Sequence, residues 1–290
     1  MQVMDKSALP SIEQIREWLT HESLSEYGLM RRHRWRARKQ AVELLHIIDK
    51  TGGEQSRQHP TPHLHYRWVT RMFWRSRRLY EAILALLDIA QPEEAAVLLR
   101  SLFEDSMRLM ELAEDESKRD ARIIWWMNDS IRRAFDLRKE EAACFVDDAL
   151  APSADELEKE RAGLQRYAVR HGVTRYQKFS SPKDAAVRFD RKREYIIYAW
   201  AHQATHGNDG AWFVASRKQA EGGEHLDAKT KDAFLLNIVS GVATQAVFDS
   251  TTAAASILGW TVPPEAFGKV EEYSQALNHA DDPEGADEVE

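Results

Sequence analysis

One cysteine, Cys144, is all that the 290 residues contain. An intrachain disulfide is therefore excluded, and a reducing cytoplasm is the expected compartment. Cys144 stands beside Phe145 and Val146, which reads as a buried, inert thiol. Glycine and proline are sparse, at 13 and 9, and they gather in short clusters that punctuate the chain. Strand-like alternation with hairpin turns is missing, and so are a P-loop, a GxGxxG fingerprint and any repeat of roughly 20–50 residues. The opening MQVMDKSALP lacks the basic-then-apolar pattern of a signal peptide. From Ala233 to Trp260 the only formal charge is Asp249, but Asn237, Ser240, Thr244, Gln245, Ser250, Thr251 and Thr252 interrupt the run. That dilution predicts a central buried helix and no membrane span, which wants about 20 predominantly apolar residues.

What is present is charge, unevenly placed. The net charge is −7. Between Arg31 and Arg78, thirteen Lys or Arg stand against Glu43, Asp49 and Glu54, giving +10, whereas Glu271–Glu290 holds eight acidic residues and no basic one. A basic N-terminal third can face a polyanion or the chain's own acidic end. Two stretches interleave arginine with aromatics: Arg31, Arg32, Arg34 and Arg36 around Trp35, then Arg71 and Arg75 around Phe73 and Trp74. Guanidinium groups for phosphates and rings for bases make these the candidate RNA-contacting residues. A solvated basic face is the plainer reading.

Helical periodicity runs through the remainder. It predicts helices over 11–27, 31–50 (stopped by Gly52-Gly53), 66–90, 92–114, 119–149, 153–171, 184–206 and 227–258, with a frayed helix and a disordered acidic tail after them. Pro92 with Glu93 and Glu94 suits a helix start, and the tight joint at Gln91-Pro92 predicts an antiparallel hairpin. Ser153 is an N-cap and Gly172 a stop. The expected architecture is all-α: a multi-helix bundle over 64–262, an N-terminal helical extension over 1–63 and an acidic tail over 263–290.

Two helical signatures carry ionisable groups among large apolar neighbours, where such groups must find partners. In Arg100-Ser101-Leu102-Phe103-Glu104 the arginine and glutamate share a face, on a line continuing to Arg108 and Glu111. The other is Tyr198-Ala199-Trp200-Ala201-His202-Gln203-Ala204-Thr205-His206-Gly207. His202 and His206 have the spacing of two metal ligands, but Gln203 replaces the glutamate base of zinc proteases, and no metal or cofactor is expected. Arg100, Glu104 and His206 are the candidate catalytic trio. Tyr195, Tyr198 and His202 are candidate ligand contacts, with hydroxyls available for hydrogen bonding. Structural ion pairing and aromatic packing are the alternatives.

Arg78 before LYEAILALL, then Arg100-Ser101-Leu102-Phe103-Glu104, Tyr195, Tyr198, His206-Gly207 and Leu258-Gly259-Trp260 together resemble the bacterial domain-of-unknown-function family 5677. The resemblance covers about Tyr66 to Trp260 and implies a helical bundle without assigning a reaction. The chain is also loosely similar to the HEPN superfamily, many of whose members are dimeric ribonucleases of defence systems with an Arg four to six residues before a His. Arg166–His171 and Arg16–His21 show that spacing, though outside the family motifs. Two functions are therefore expected to compete. One is a ligand- or partner-binding module with an interior Arg/Glu/His site. The other is a metal-independent ribonuclease or RNA-binding effector in phage defence, which the likeness would make a homo-oligomer. Whether the chain is an enzyme is left open.

Overall fold

The computed structural model describes residues 28–55, 64–89, 91–144, 153–205 and 228–278, with side chains over 38–53, 64–89, 91–138, 153–201 and 236–275. The described residues form helices and no strand: α1 (Gly28–Gln55), α2 (Leu64–Asp88), α3 (Pro92–Glu114), α4 (Glu116–Cys144), α5 (Ala154–Arg170), α6 (Pro182–Arg188), α7 (Lys192–Thr205), α8 (Ala228–Leu258) and α9 (Pro264–Asn278). The expected all-α bundle is thus the fold. The helix expected over 11–27, the loop between α1 and α2 and the end of the tail lie outside the described residues.

Helix α3 is the axis, packed against α8, α2 and α7. Its Leu99, Leu102, Leu109 and Leu112 are wholly buried, and they join Ile83 of α2 and Val239 and Ala243 of α8 in one large core. The joint between α2 and α3 is as tight as expected. Gln91 donates its backbone N–H to the Leu86 carbonyl (2.9 Å), and Pro92 opens α3 with Glu93 and Glu94 in its first turn.

Helix α8 carries its polar residues into the interior by satisfying them locally. Thr244, Ser250 and Thr251 donate to the carbonyls four residues back, at 3.0, 2.8 and 2.8 Å, so few hydroxyls need a distant partner. No helix among the described residues is long and apolar enough to cross a membrane.

Three expectations are corrected. Gly52-Gly53 do not stop α1, which runs on to Gln55; a Cβ on Gly52 would stand 2.4 Å from the Phe73 ring, so this glycine permits a close approach of α1 to α2. The helix expected over 184–206 is two helices. Phe189 and Arg191 donate their backbone N–H groups to Ala185 and Ala186 (2.9 and 2.7 Å), and Asp190 takes φ 55°, a left-handed stop that an aspartate tolerates better than most residues. The segment 264–278 is no frayed end: Ala266 and Tyr273 are buried in the main core, and α9 packs along α1.

Helix α5 sits apart. Its Ser153 start is a full capping box with Glu156, and Gly172 follows its end at φ 67°. It packs on α4 through a small cluster of Ile131, Leu157 and Leu164.

Candidate functional site

The arginine–carboxylate line of α3 becomes a row of ion pairs, joined by Arg75 of α2 and Tyr198 of α7. Glu104 is its hub. Arg100 donates to Oε1 at 3.3 Å, Arg108 to Oε2 at 3.0 Å, and Tyr198 of α7 donates its hydroxyl to Oε1 at 2.9 Å. The helical spacing brings the arginines to the glutamate, and the packing of α7 on α3 brings the tyrosine. Tyr198 is fixed by the rings of Phe103 (5.2 Å between centroids) and Tyr195 (5.6 Å). Desolvation, with the Glu104 charge beside it, raises the Tyr198 pKa, which keeps the hydroxyl a donor.

Asp105, the next residue on α3, faces α2. Its side chain is only 1% exposed, and Arg75 reaches it at 2.8 Å while Arg108 bridges it to Glu104 at 3.2 Å. Burial lifts the Asp105 pKa to about 6, offset by Arg75 and Arg108 and reinforced by the Glu104 charge. Three guanidinium groups thus meet two carboxylates. Side-chain exposures of 45% for Arg75, 30% for Arg100 and 26% for Arg108 leave each partly open to solvent.

Of the candidate residues, Arg100 and Tyr198 meet at Glu104, and Tyr195 reaches the group only through its ring on Tyr198. The side chain of His202 and all of His206 lie outside the described residues, so the two-histidine reading and the third member of the trio fall there too. Arg31, Arg32, Arg34 and Arg36 lie in the α1 backbone, with side chains outside the described set. Arg71 is exposed, on the same face of α2 as Arg67, Arg75 and Arg78, whereas Arg75 belongs to the row through Asp105. His171 stacks on Tyr167 at 4.1 Å. Among the described residues, no group of three or more His, Cys, Asp and Glu could hold a metal ion.

Two buried pairs escaped the sequence reading. Glu111 (1% exposed) accepts the Ser180 backbone N–H at 3.2 Å to each oxygen, pairs with Arg188, and lies 3.6 Å from Arg122. It clamps the segment before α6 onto α3. Asp249 of α8 takes a two-pronged pair from Arg191 at 2.7 and 2.9 Å, and Gln245 adds a third bond at 2.8 Å. A lone charge within an apolar helix signalled Asp249, because a buried carboxylate requires a partner. Nothing in the sequence named Arg191.

Fold and site define an all-α protein with a half-buried arginine–carboxylate row. Over residues 66–221 the chain matches the family of unknown function DUF5677, and it belongs to that family. No curated protein and no solved structure matches it.

Proposed function

We propose that this protein is a ligand-binding helical module whose recognition element is the α3 row, and that the row takes an anionic group such as a carboxylate or phosphate. The observation that supports this reading is the convergence of Arg75, Arg100 and Arg108, all partly exposed, on Glu104 and Asp105. With both carboxylates ionised the row carries +1, and protonation of Asp105 near its pKa of about 6 raises that to +2. Arginine suits such a role, because its planar fork pairs with carboxylate and phosphate in two-pronged fashion. A perturbed carboxyl beside specific charge partners is a recognised mark of functional sites.

Calorimetric titration of the full chain with inorganic phosphate, citrate and a short RNA tests the reading. Binding of a small anion that Arg100→Ala weakens about tenfold, the cost of a charged hydrogen bond, with circular dichroism unchanged, is the expected result. No small anion bound, or binding indifferent to Arg100→Ala, would overturn it. The competing ribonuclease reading joins His206 to Arg100 and Glu104; RNA cleavage that Arg100→Ala and His206→Ala both abolish would replace the module by an enzyme.

A further inference from the structure

Helices α4 and α5 touch along one small cluster, and beside that cluster a cleft of about 590 Å³ opens to solvent. This volume falls within the range of small-molecule sites, roughly 300–1,000 Å³. The cleft lies away from the α3 row and shares no lining residue with it.

Its wall combines rings, amides and charged side chains. Trp125 and Phe135 of α4 and Tyr176 from the segment after α5 supply ring surface. Lys178 holds its ammonium 5.8 Å from the Trp125 ring centroid. Asn128 of α4 and Gln165 of α5 supply primary amides, neither of which makes a side-chain hydrogen bond among the described residues. Each amide offers a donor and an acceptor.

The charges in the wall are already matched. Arg132 spans Asp129 at 2.9 Å and Asp136 at 3.1 Å, and Arg133 also holds Asp129 at 2.9 Å. Glu158 faces Arg161 on its own helix at 3.7 Å. Each charge in the wall thus has an oppositely charged partner, so a charged ligand gains no net counter-charge there and a neutral one forfeits nothing.

We infer that the α4–α5 cleft is a second binding site, for an uncharged planar ring compound with a hydrogen-bonding edge. Trp125, Phe135 and Tyr176 contact the ring, and Asn128 and Gln165 hold its edge. Flat rings pack on aromatic walls through dispersion and offset stacking, and unpaired amides confer the polar selectivity that ring contact lacks.

A matched series of probes separates charge from shape: nicotinamide, anionic nicotinate and cationic 1-methylnicotinamide share one ring. Saturation-transfer NMR on the full chain should show nicotinamide bound more tightly than either ion. Joint Asn128→Leu and Gln165→Leu replacement should weaken it about tenfold, as expected for two neutral hydrogen bonds, with the melting temperature retained. Tyr176→Ala, at a half-exposed position outside the helices, should weaken binding without touching the core, and it serves if the double variant fails to fold. Absence of nicotinamide binding at millimolar concentration, tighter binding of either ion, or affinity unchanged in the variants would overturn the inference. Arg100→Ala should leave nicotinamide binding intact, so failure here and failure of the α3 row as an anion site are separable.

Discussion

The α3 row and the α4–α5 unit use the same device, arginine three or four residues from a carboxylate, for different ends. On α4, Arg132 pairs with Asp129 and Asp136 while 64% exposed, so water screens the attraction and long side chains lose entropy in forming it. On α3, Asp105 and Glu111 are 1% exposed; Asp105 is held by Arg108 of its own helix and Arg75 of α2, and Glu111 by Arg188 and Arg122 of other helices. Identical spacing therefore has opposite consequences: a solvated ladder in one place, and in the other charges that have to be matched across helix boundaries because neither can return to water. The two regions also differ in size of core, since α3 shares the large cluster and α5 rests on three buried side chains.

The largest effect should come from breaking the deep pair. Glu111→Ala would leave Arg122, which is 4% exposed, with the residue 111 carbonyl but no carboxylate, and would free Arg188 and the Ser180 N–H; a loss of about 3–5 kcal/mol in urea unfolding is expected. A midpoint equal to wild type would erase the distinction between the regions. Next, Leu164→Ala should remove about 2–3 kcal/mol from the small cluster alone. Hydrogen exchange would then rise in α5 and the facing turns of α4 while α2, α3 and α8 keep their protection; uniform loss across the bundle would show that α5 is no satellite.

Asp105 gives a prediction with a defined sign. Its folded pKa of about 6 exceeds the ordinary 3.8, so between those values the folded chain binds more protons than the unfolded one. Its contribution to stability is therefore greatest at the acid end and declines as pH rises through the window, by up to roughly 2–3 kcal/mol. Wild-type stability measured relative to Asp105→Asn should fall from pH 4 to pH 7; a difference that grows with pH would contradict the assignment. Smaller again, Tyr198→Phe keeps the ring stack and removes one hydrogen bond to a carboxylate, for about 1.5 kcal/mol, read from thermal melts. Arg132→Ala should fall within about 0.5 kcal/mol of wild type, which calibrates the exposed ladder against the buried row.

Helix positions were legible because apolar periodicity, Ser153, Gly172 and the Gln91-Pro92 joint are local signals, and local geometry answers to them. The α3 pairing of Arg100 with Glu104 was legible for the same reason. The break at Asp190 was hidden: nothing in Phe189-Asp190-Arg191 forbids a continuous helix. The residues flanking the break have distant partners, Arg188 at Glu111 and Arg191 at Asp249. Gly52 misled for a related reason, since its lack of a side chain serves the Phe73 ring on another helix. Tyr198 could be marked as a polar aromatic on the right helix, but its acceptor could not. Arg75 stands within a basic stretch of the sequence, and only the facing of α2 on α3 turns it toward Asp105.

By itself the sequence determined the all-α class, the hairpin of α2 and α3, and the presence of charges within apolar helices, because each follows from spacing along one strand of backbone. Which charge meets which was decided only in three dimensions. Ion pairs between Asp105 and Arg75, Glu111 and Arg188, and Asp249 and Arg191 join residues 30, 77 and 58 positions apart. Burial leaves those carboxylates little else to bind, and the crossing of helices selects the guanidinium that reaches them.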